Sequence, residues 1–170
     1  MVASAPTDAA RVDRLLIAAR DTIAGVPFCW AITPSEDGGI NARLVGPILG
    51  APGDEDWTIW FSTSRSSRKA EDVRRTGRLT LGYQHHPDQS YVVLVGRATL
   101  FEDRLEIRRR WLESWRLYFP GGPDDPDLVF IRINVDRIEL CVQGVTAEPF
   151  GSRYSVVERD AERRWKVISD

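Results

Sequence analysis

The nine residues FSTSRSSRK, at positions 61–69, decide the interpretation of this chain. They close an apolar run over 57–63 that is rich in strand-forming residues, and a serine-rich turn follows. A helix is predicted over 68–76, and Gly77 supplies the residue at which it stops. The stretch therefore predicts a strand, a hydroxyl-rich turn and a helix that begins with two adjacent cations.

This turn has the chemistry to bind a phosphate ester. A helix N-terminus offers unpaired backbone N–H groups and a partial positive charge, and serine hydroxyls add donors. Arg68 can grip two phosphate oxygens, and Lys69 adds a point charge. The plainer alternative is N-capping by Ser64 or Ser67 with a solvated basic first turn. Cations at a helix N-terminus oppose the helix dipole, and an arrangement that works against local stability favours a bound anion.

Outside this turn the sequence predicts a mainly β, α+β protein. The other predicted elements are, in chain order, a helix over 7–24 capped by Thr7 or Asp8, strands at 28–33 and 40–49 with a bend at Gly46-Pro47, strands at 79–84 and 91–101, a long helix from Asp103 to Trp115, a strand from Leu128 that extends to Leu140, and a C-terminal hairpin over about 153–168. Successive strands with hairpin turns favour an antiparallel barrel or sandwich over a parallel sheet. No second domain is indicated, so residues 1–170 are predicted to form one domain.

Several linked motifs resemble one known family. Phe61-x-Thr63 followed by Ser67-Arg68-Lys69 is similar to the flavin-phosphate motif of the pyridoxamine 5′-phosphate oxidase-like split-barrel flavoproteins. The loop at 118–128 is similar to one in their general stress protein branch. The segments Asn41–Arg43, Arg78–Leu81 and Tyr91–Ala98 extend the resemblance, which spans about residues 10–140.

The resemblance implies a six-stranded antiparallel split β-barrel with flanking helices. Such proteins are homodimers that bind FMN in a groove between the two subunits. The cofactor-binding residues that it implies are Arg68, Lys69, Ser67 and Arg43 around the phosphate, Ser62 and Thr63 along the flavin, Ser64 and Tyr91 elsewhere at the cofactor, and Trp111 or Trp115 lining the groove from the partner chain. Plain core or dimer packing is the alternative for the two tryptophans.

The implied activity is that of an FMN-dependent oxidoreductase, with NADPH or NADH as candidate electron donors and a small-molecule substrate of unknown identity. Oxidation of pyridoxamine phosphate itself is not expected, because the surroundings of Trp165 do not match the oxidase's substrate motif. A non-catalytic flavin-binding stress-response protein, or a relative that binds haem or a deazaflavin, stays open. No side chain stands out as a general acid or base, so catalytic residues stay unassigned.

Composition limits the other functions. The 170 residues carry a net charge of −2, which predicts no general attraction to nucleic acid. No apolar stretch is long enough for a membrane span, and residues 1–8 lack a secretory pattern, so we expect a cytoplasmic protein. Cys29 and Cys141 are expected to be buried small hydrophobes. His85-His86 is expected to lie in a solvated turn, and the aspartates of 124–127 are expected to lie in an exposed loop or to cap a helix, and neither set is expected to bind a metal.

Overall fold

The computed structural model describes residues 8–50 and 53–169. Its elements in chain order are α1 (Asp8–Ala24), β1 (Cys29–Pro34), β2 (Ile40–Val45), β3 (Ile48–Leu49), β4 (Thr58–Ser64), α2 (Arg68–Thr76), β5 (Arg78–His85), β6 (Ser90–Phe101), α3 (Arg104–Arg110), 3₁₀ helices at Glu113–Leu117 and Gly122–Asp124, β7 (Leu128–Cys141), β8 (Ser155–Arg159) and β9 (Trp165–Ser169). None of the helices in this part of the chain has the length and apolar character that a membrane crossing requires.

The nine strands of the described residues belong to one hydrogen-bonded sheet, which branches at β7. Their order is β2-β1-β5-β6-β7-β4-β3, and β8 pairs with both β7 and β9. The pairs β3–β4, β4–β7, β7–β8 and β8–β9 are antiparallel. In the β4–β7 pair, Thr58 lies opposite Asn134 and Ser64 lies opposite Leu128. This register places the end of β4, where the serine-rich turn starts, beside the first residue of β7.

The described residues form two compact units. One contains residues 8–30, 81–95 and 136–169, and in it α1 packs against the β8–β9 hairpin and buries Leu15 and Ala19. The other contains residues 31–50, 53–80 and 96–135, and therefore the whole of the serine-rich turn.

Aromatic side chains form the core of the second unit. The rings of Trp60 and Phe101 meet edge-on with centroids 4.9 Å apart, and Trp115 lies 5.5 Å from Phe130. The buried members of this cluster are Trp60, Ile107, Trp115, Phe119, Leu128 and Phe130. Trp57 is also buried, so both tryptophans at the start of β4 serve packing.

The prediction of one helix from Asp103 to Trp115 is wrong for its second half, because α3 ends at Arg110. Leu112 has extended backbone angles (φ −113°, ψ 129°), and a 3₁₀ helix follows. Three arginines fill the last turn of α3, where cations stabilise a helix C-terminus. The four-residue spacing of Ile107, Trp111 and Trp115 predicts one continuous stripe, and spacing alone does not reveal the break.

Most other boundaries match the predictions closely. Helix α2 has the predicted limits and ends at Gly77, whose φ of 62° is in the left-handed region that favours glycine. The predicted second strand divides into β2 and β3 on either side of Gly46-Pro47. Thr7, the alternative cap of α1, and the N-terminal segment 1–7 on which the secretory prediction rests lie outside the described residues.

Candidate functional site

The turn between β4 and α2 is organised around the hydroxyl group of Ser67. Ser67 is the N-cap of α2 (φ −69°, ψ 145°), and its side chain accepts a hydrogen bond from the backbone N–H of Ala70 at 3.3 Å. The hydroxyl oxygen of Thr63 lies 3.0 Å from that of Ser67 and is buried. The N-capping alternative is therefore present at Ser67, but it does not account for the cations that follow it.

Three cations belong to this site: Arg43 on β2, and Arg68 and Lys69 in the first turn of α2. Lys69 is half-buried, and its pKa is lowered, first by burial and then by the positive charge of Arg43. Arg43 donates to the backbone carbonyl of Ala42 at 2.5 Å. Within residues 8–50 and 53–169, none of the three cations has an ion-pair partner. Like charges without a carboxylate between them form a site that favours an anion.

Neighbouring cations differ from these three, because they form ion pairs with carboxylates. The guanidinium of Arg65 donates to Glu102 at 2.7 Å, and its backbone N–H donates to the carbonyl of Asp127 at 2.7 Å. Ser64 donates its hydroxyl hydrogen to the carboxylate of Asp127 at 2.5 Å. Arg65 and Ser64 thus hold the turn against the loop before β7, while Arg68 and Lys69 stay available for a ligand.

The side of α2 that carries Arg68 borders a polar cavity of about 660 Å³. The cavity lies between the helix and the β1–β2 turn, and its lining includes Asn41, Arg68, Glu71 and Asp72. Asp72 is buried and accepts hydrogen bonds from three side chains. Of the three cations of the site, Arg68 therefore lies beside a space that is open to a polar molecule.

The strand residues predicted along the ligand do not all face the same way. Successive side chains of a strand point to opposite faces, so Ser62 and Ser64 share one face of β4 and Thr63 lies on the other. Ser62 is half-buried, whereas Thr63 is 3% exposed and supports Ser67. Tyr91 belongs to the first unit, where burial raises its pKa, helped by the charges of Cys141, Glu139 and Tyr154. Its role at a cofactor stays a prediction.

The two tryptophans expected to line a groove pack inside their own chain. Trp115 is 9% exposed within the aromatic cluster, and Trp111 packs against that cluster and donates its indole N–H to Glu113 at 3.0 Å. Their rings meet edge-on, with centroids 6.0 Å apart. Both side chains thus make packing contacts within their own chain, and a role for either of them at a cofactor groove stays a prediction.

The sequence interpretation missed the acidic residues that support the turn. Glu102 and Asp127 lie 37 and 63 positions from the residues that they hold, and no local spacing links them. The aspartates of 124–127 were expected to be exposed or to cap a helix, whereas Asp127 is half-buried and accepts a hydrogen bond from Ser64. His85 pairs with Asp88 at 2.7 Å, and no group of three or more potential metal ligands occurs in the described part of the chain.

Comparison with known proteins gives consistent matches. The model of the family described as "Pyridoxamine 5′-phosphate oxidase like" matches residues 17–143. A protein related to general stress protein 26 from Clostridium acetobutylicum has 18% identity and a TM-score of 0.72, over 86% of this chain and 95% of the other. General stress protein 26 of Bacillus anthracis has 23% identity and a TM-score of 0.64, over 75% and 93%. A pyridoxamine 5′-phosphate oxidase-related, FMN binding protein of Nostoc punctiforme has 15% identity and a TM-score of 0.71, over 99% and 98%.

These structural similarities confirm the predicted mainly β split-barrel fold class. The nine strands of the described residues are the six predicted ones, of which the second is divided into β2 and β3, and the two strands of the predicted C-terminal hairpin, β8 and β9. No relative among curated proteins matches the chain.

Proposed function

The chain belongs to the pyridoxamine 5′-phosphate oxidase like family, and on that basis we propose that it binds FMN through Arg43, Arg68 and Lys69. The observation that carries the proposal is the set of three cations that lack ion-pair partners among the described residues, beside a helix N-terminus. The Nostoc relative is named as an FMN binding protein, which supports the choice of FMN among phosphate esters.

The donors at the site fit a phosphate group. Its dianion is matched by the charges of Lys69 and the two arginines. The backbone N–H groups of Arg68 and Lys69 precede the first hydrogen bonds of α2, which Ala70 and Glu71 donate to Ser67, so they have no acceptor within the helix. Arg68 is exposed and can present two parallel N–H donors, whereas Lys69 is half-buried and close enough to Arg43 for their charges to interact. A bound phosphate would remove the repulsion between Arg43 and Lys69.

Other residues hold these donors in place. Ser67 fixes the start of α2, with Thr63 behind it, so the orientation of the first helical turn is defined before a ligand arrives. Ser64 and Arg65 hold the turn against Asp127 and Glu102. Bound FMN would supply the redox chemistry of its ring system, and the protein would supply binding and orientation.

The proposal extends to three properties that stay predictions: a homodimer, a cytoplasmic location and oxidoreductase activity. Spectroscopy and kinetics test the last. Flavin absorbance of the purified or FMN-loaded protein separates flavin from haem or deazaflavin binding. Reduction by NADPH or NADH with turnover on an acceptor separates an enzyme from a non-catalytic flavin-binding protein. A mass of twice 19.2 kDa in sedimentation supports the dimer, and a monomer contradicts it.

Removal of the two helix cations tests the binding site. FMN affinity is measured by fluorescence quenching for wild type, Arg68→Ala, Lys69→Ala and the double variant, with riboflavin as the ligand that lacks phosphate. Each loss of a charge-assisted hydrogen bond is worth about 1.5–3 kcal/mol, so each single variant should bind FMN roughly 10-fold to 100-fold more weakly. Arg78→Ala, which removes an exposed cation at the start of β5, is the matched control. Unchanged FMN affinity in a folded double variant contradicts the assignment.

A further inference from the structure

Asp72 is a buried carboxylate that ties α2 to the β1–β2 hairpin. It is 6% exposed, and one of its oxygens accepts from the hydroxyl of Thr33 at 2.7 Å and from the side-chain amide of Asn41 at 2.9 Å. Its other oxygen accepts from Arg75 at 3.1 Å, and the same arginine nitrogen donates to the carbonyl of Pro34 at 2.6 Å. Burial alone would raise the pKa of Asp72, but these donors outweigh it and the pKa is lowered, so the carboxylate is ionised at neutral pH.

The two elements that Asp72 joins are the ones that carry the three cations. Asn41 lies two residues before Arg43 on β2, so the two side chains share one face of that strand. On α2, Asp72 lies one turn beyond Arg68 and three residues beyond Lys69. A single carboxylate therefore links the strand and the helix that carry the three cations of the proposed site.

We infer that Asp72 is a positioning residue of this site: by holding β2 against α2, it sets the separation of Arg43 from Arg68 and Lys69. The inference rests on the proposed FMN function. Arg43 and Lys69 repel each other when no anion lies between them, and that repulsion would drive β2 and α2 apart. The hydrogen bonds of Asp72 to Thr33 and Asn41 oppose the separation.

The charge of Asp72 and its positioning role predict opposite effects on FMN binding. A negative charge one helical turn from Arg68 repels a phosphate dianion, so simple electrostatics predicts tighter FMN binding once it is removed. Positioning predicts weaker binding, because Asp72→Asn replaces one acceptor oxygen by a donor that opposes the donors already present. The sign of the change in affinity therefore distinguishes the two roles.

Flavin titrations measure that sign. Asp72→Asn should weaken FMN binding about tenfold, the order found when residues that orient ligand-holding side chains are removed. Riboflavin, which lacks the phosphate, should bind as it does to wild type, and a general loss of structure would not preserve that difference. Asn41→Ala removes one hydrogen bond of the network and should weaken FMN binding in the same direction. Glu71→Gln, which neutralises the exposed neighbouring carboxylate, is the matched control and should not weaken it.

Hydrogen exchange without flavin provides an independent measurement. Backbone amides of β2 and of the first turn of α2 should exchange faster in Asp72→Asn and Asn41→Ala than in wild type and Glu71→Gln. FMN affinity equal to or above wild type in folded Asp72→Asn, or unchanged exchange in these segments, overturns the inference. If wild type itself does not bind FMN, the proposed function fails, and the exchange data still decide whether Asp72 holds β2 against α2.

Discussion

Arg110 is the buried cation on which the stability of the second unit is expected to depend most. Its side chain is 4% exposed and donates two hydrogen bonds to the carboxylate of Asp54, at 2.8 and 2.9 Å. A third bond reaches Glu106 at 3.2 Å, and the guanidinium lies 3.9 Å above the ring of Trp60. Substitution Arg110→Met keeps the length of the stem and removes the charge, so it leaves the Asp54 carboxylate without its two guanidinium donors.

Removal of one partner from a buried ion pair typically destabilises a protein by about 3–5 kcal/mol, because the remaining charge stays in a region of low polarity. For a chain of this length each kcal/mol lowers the melting temperature by about 2–4 °C. The expected decrease for Arg110→Met is therefore roughly 6–20 °C. Replacing both partners, as in Arg110→Met with Asp54→Leu, should recover part of the loss, because the buried charge is gone but the indole N–H of Trp60, which donates to Asp54 at 3.1 Å, loses its acceptor.

Thermal unfolding followed by circular dichroism measures both variants. Arg116→Met is the matched control, because Arg116 pairs with Glu113 on the surface, where both side chains are more than half exposed. We expect no measurable change there, since solvent and salt screen such pairs. A melting temperature for Arg110→Met within about 2 °C of wild type, in a cooperative transition, would refute the reasoning.

Three further predictions concern β6, the site and a buried thiol. Gly96→Ala should lower the free energy of unfolding, measured with denaturant, by at least about 2 kcal/mol, because the new Cβ would lie 2.2 Å from the backbone oxygen of Asn134. Gly82→Ala is the control and should be tolerated, because its Cβ would meet nothing closer than 4.0 Å. Equal effects of the two substitutions would contradict this reasoning. FMN affinity should fall as the pH rises through the lowered pKa of Lys69, since only the protonated amine attracts phosphate, while Lys69→Arg should retain affinity to higher pH; parallel curves would exclude a role for Lys69. Burial raises the pKa of Cys29 to about 12, so at pH 8 a thiol reagent should label it only after unfolding, and mass spectrometry that finds rapid labelling of the native protein would contradict that burial.

Local signals in the sequence predicted α2 and its ends, because the N-cap Ser67 and the stop at Gly77 act through neighbouring backbone groups. The same signals did not show which of the cations at positions 65–69 are free of ion pairs and can bind a ligand, since that depends on carboxylates far away in the chain. Arg65 forms an ion pair with Glu102, 37 positions later. Asp72 is bonded to Thr33, 39 positions earlier, although nothing in the spacing of α2 distinguishes it from an exposed helical carboxylate. Long-range pairing therefore decides the roles of residues whose local structure the sequence predicts well.

The features that indicate an anion at this site also predict that binding and stability are coupled. Two cations in the first turn of α2 oppose its dipole, and the half-buried Lys69 is repelled by Arg43, so each of these terms weakens the protein without ligand. A bound phosphate makes these electrostatic contributions to stability favourable, because it pairs with the same cations. A ligand that binds only the folded state and is present at a hundred times its Kd adds about 2.7 kcal/mol to the free energy of unfolding. The arrangement is thus unfavourable for the isolated helix and favourable for the complex, which is the expected balance where function, rather than local stability, determines the sequence.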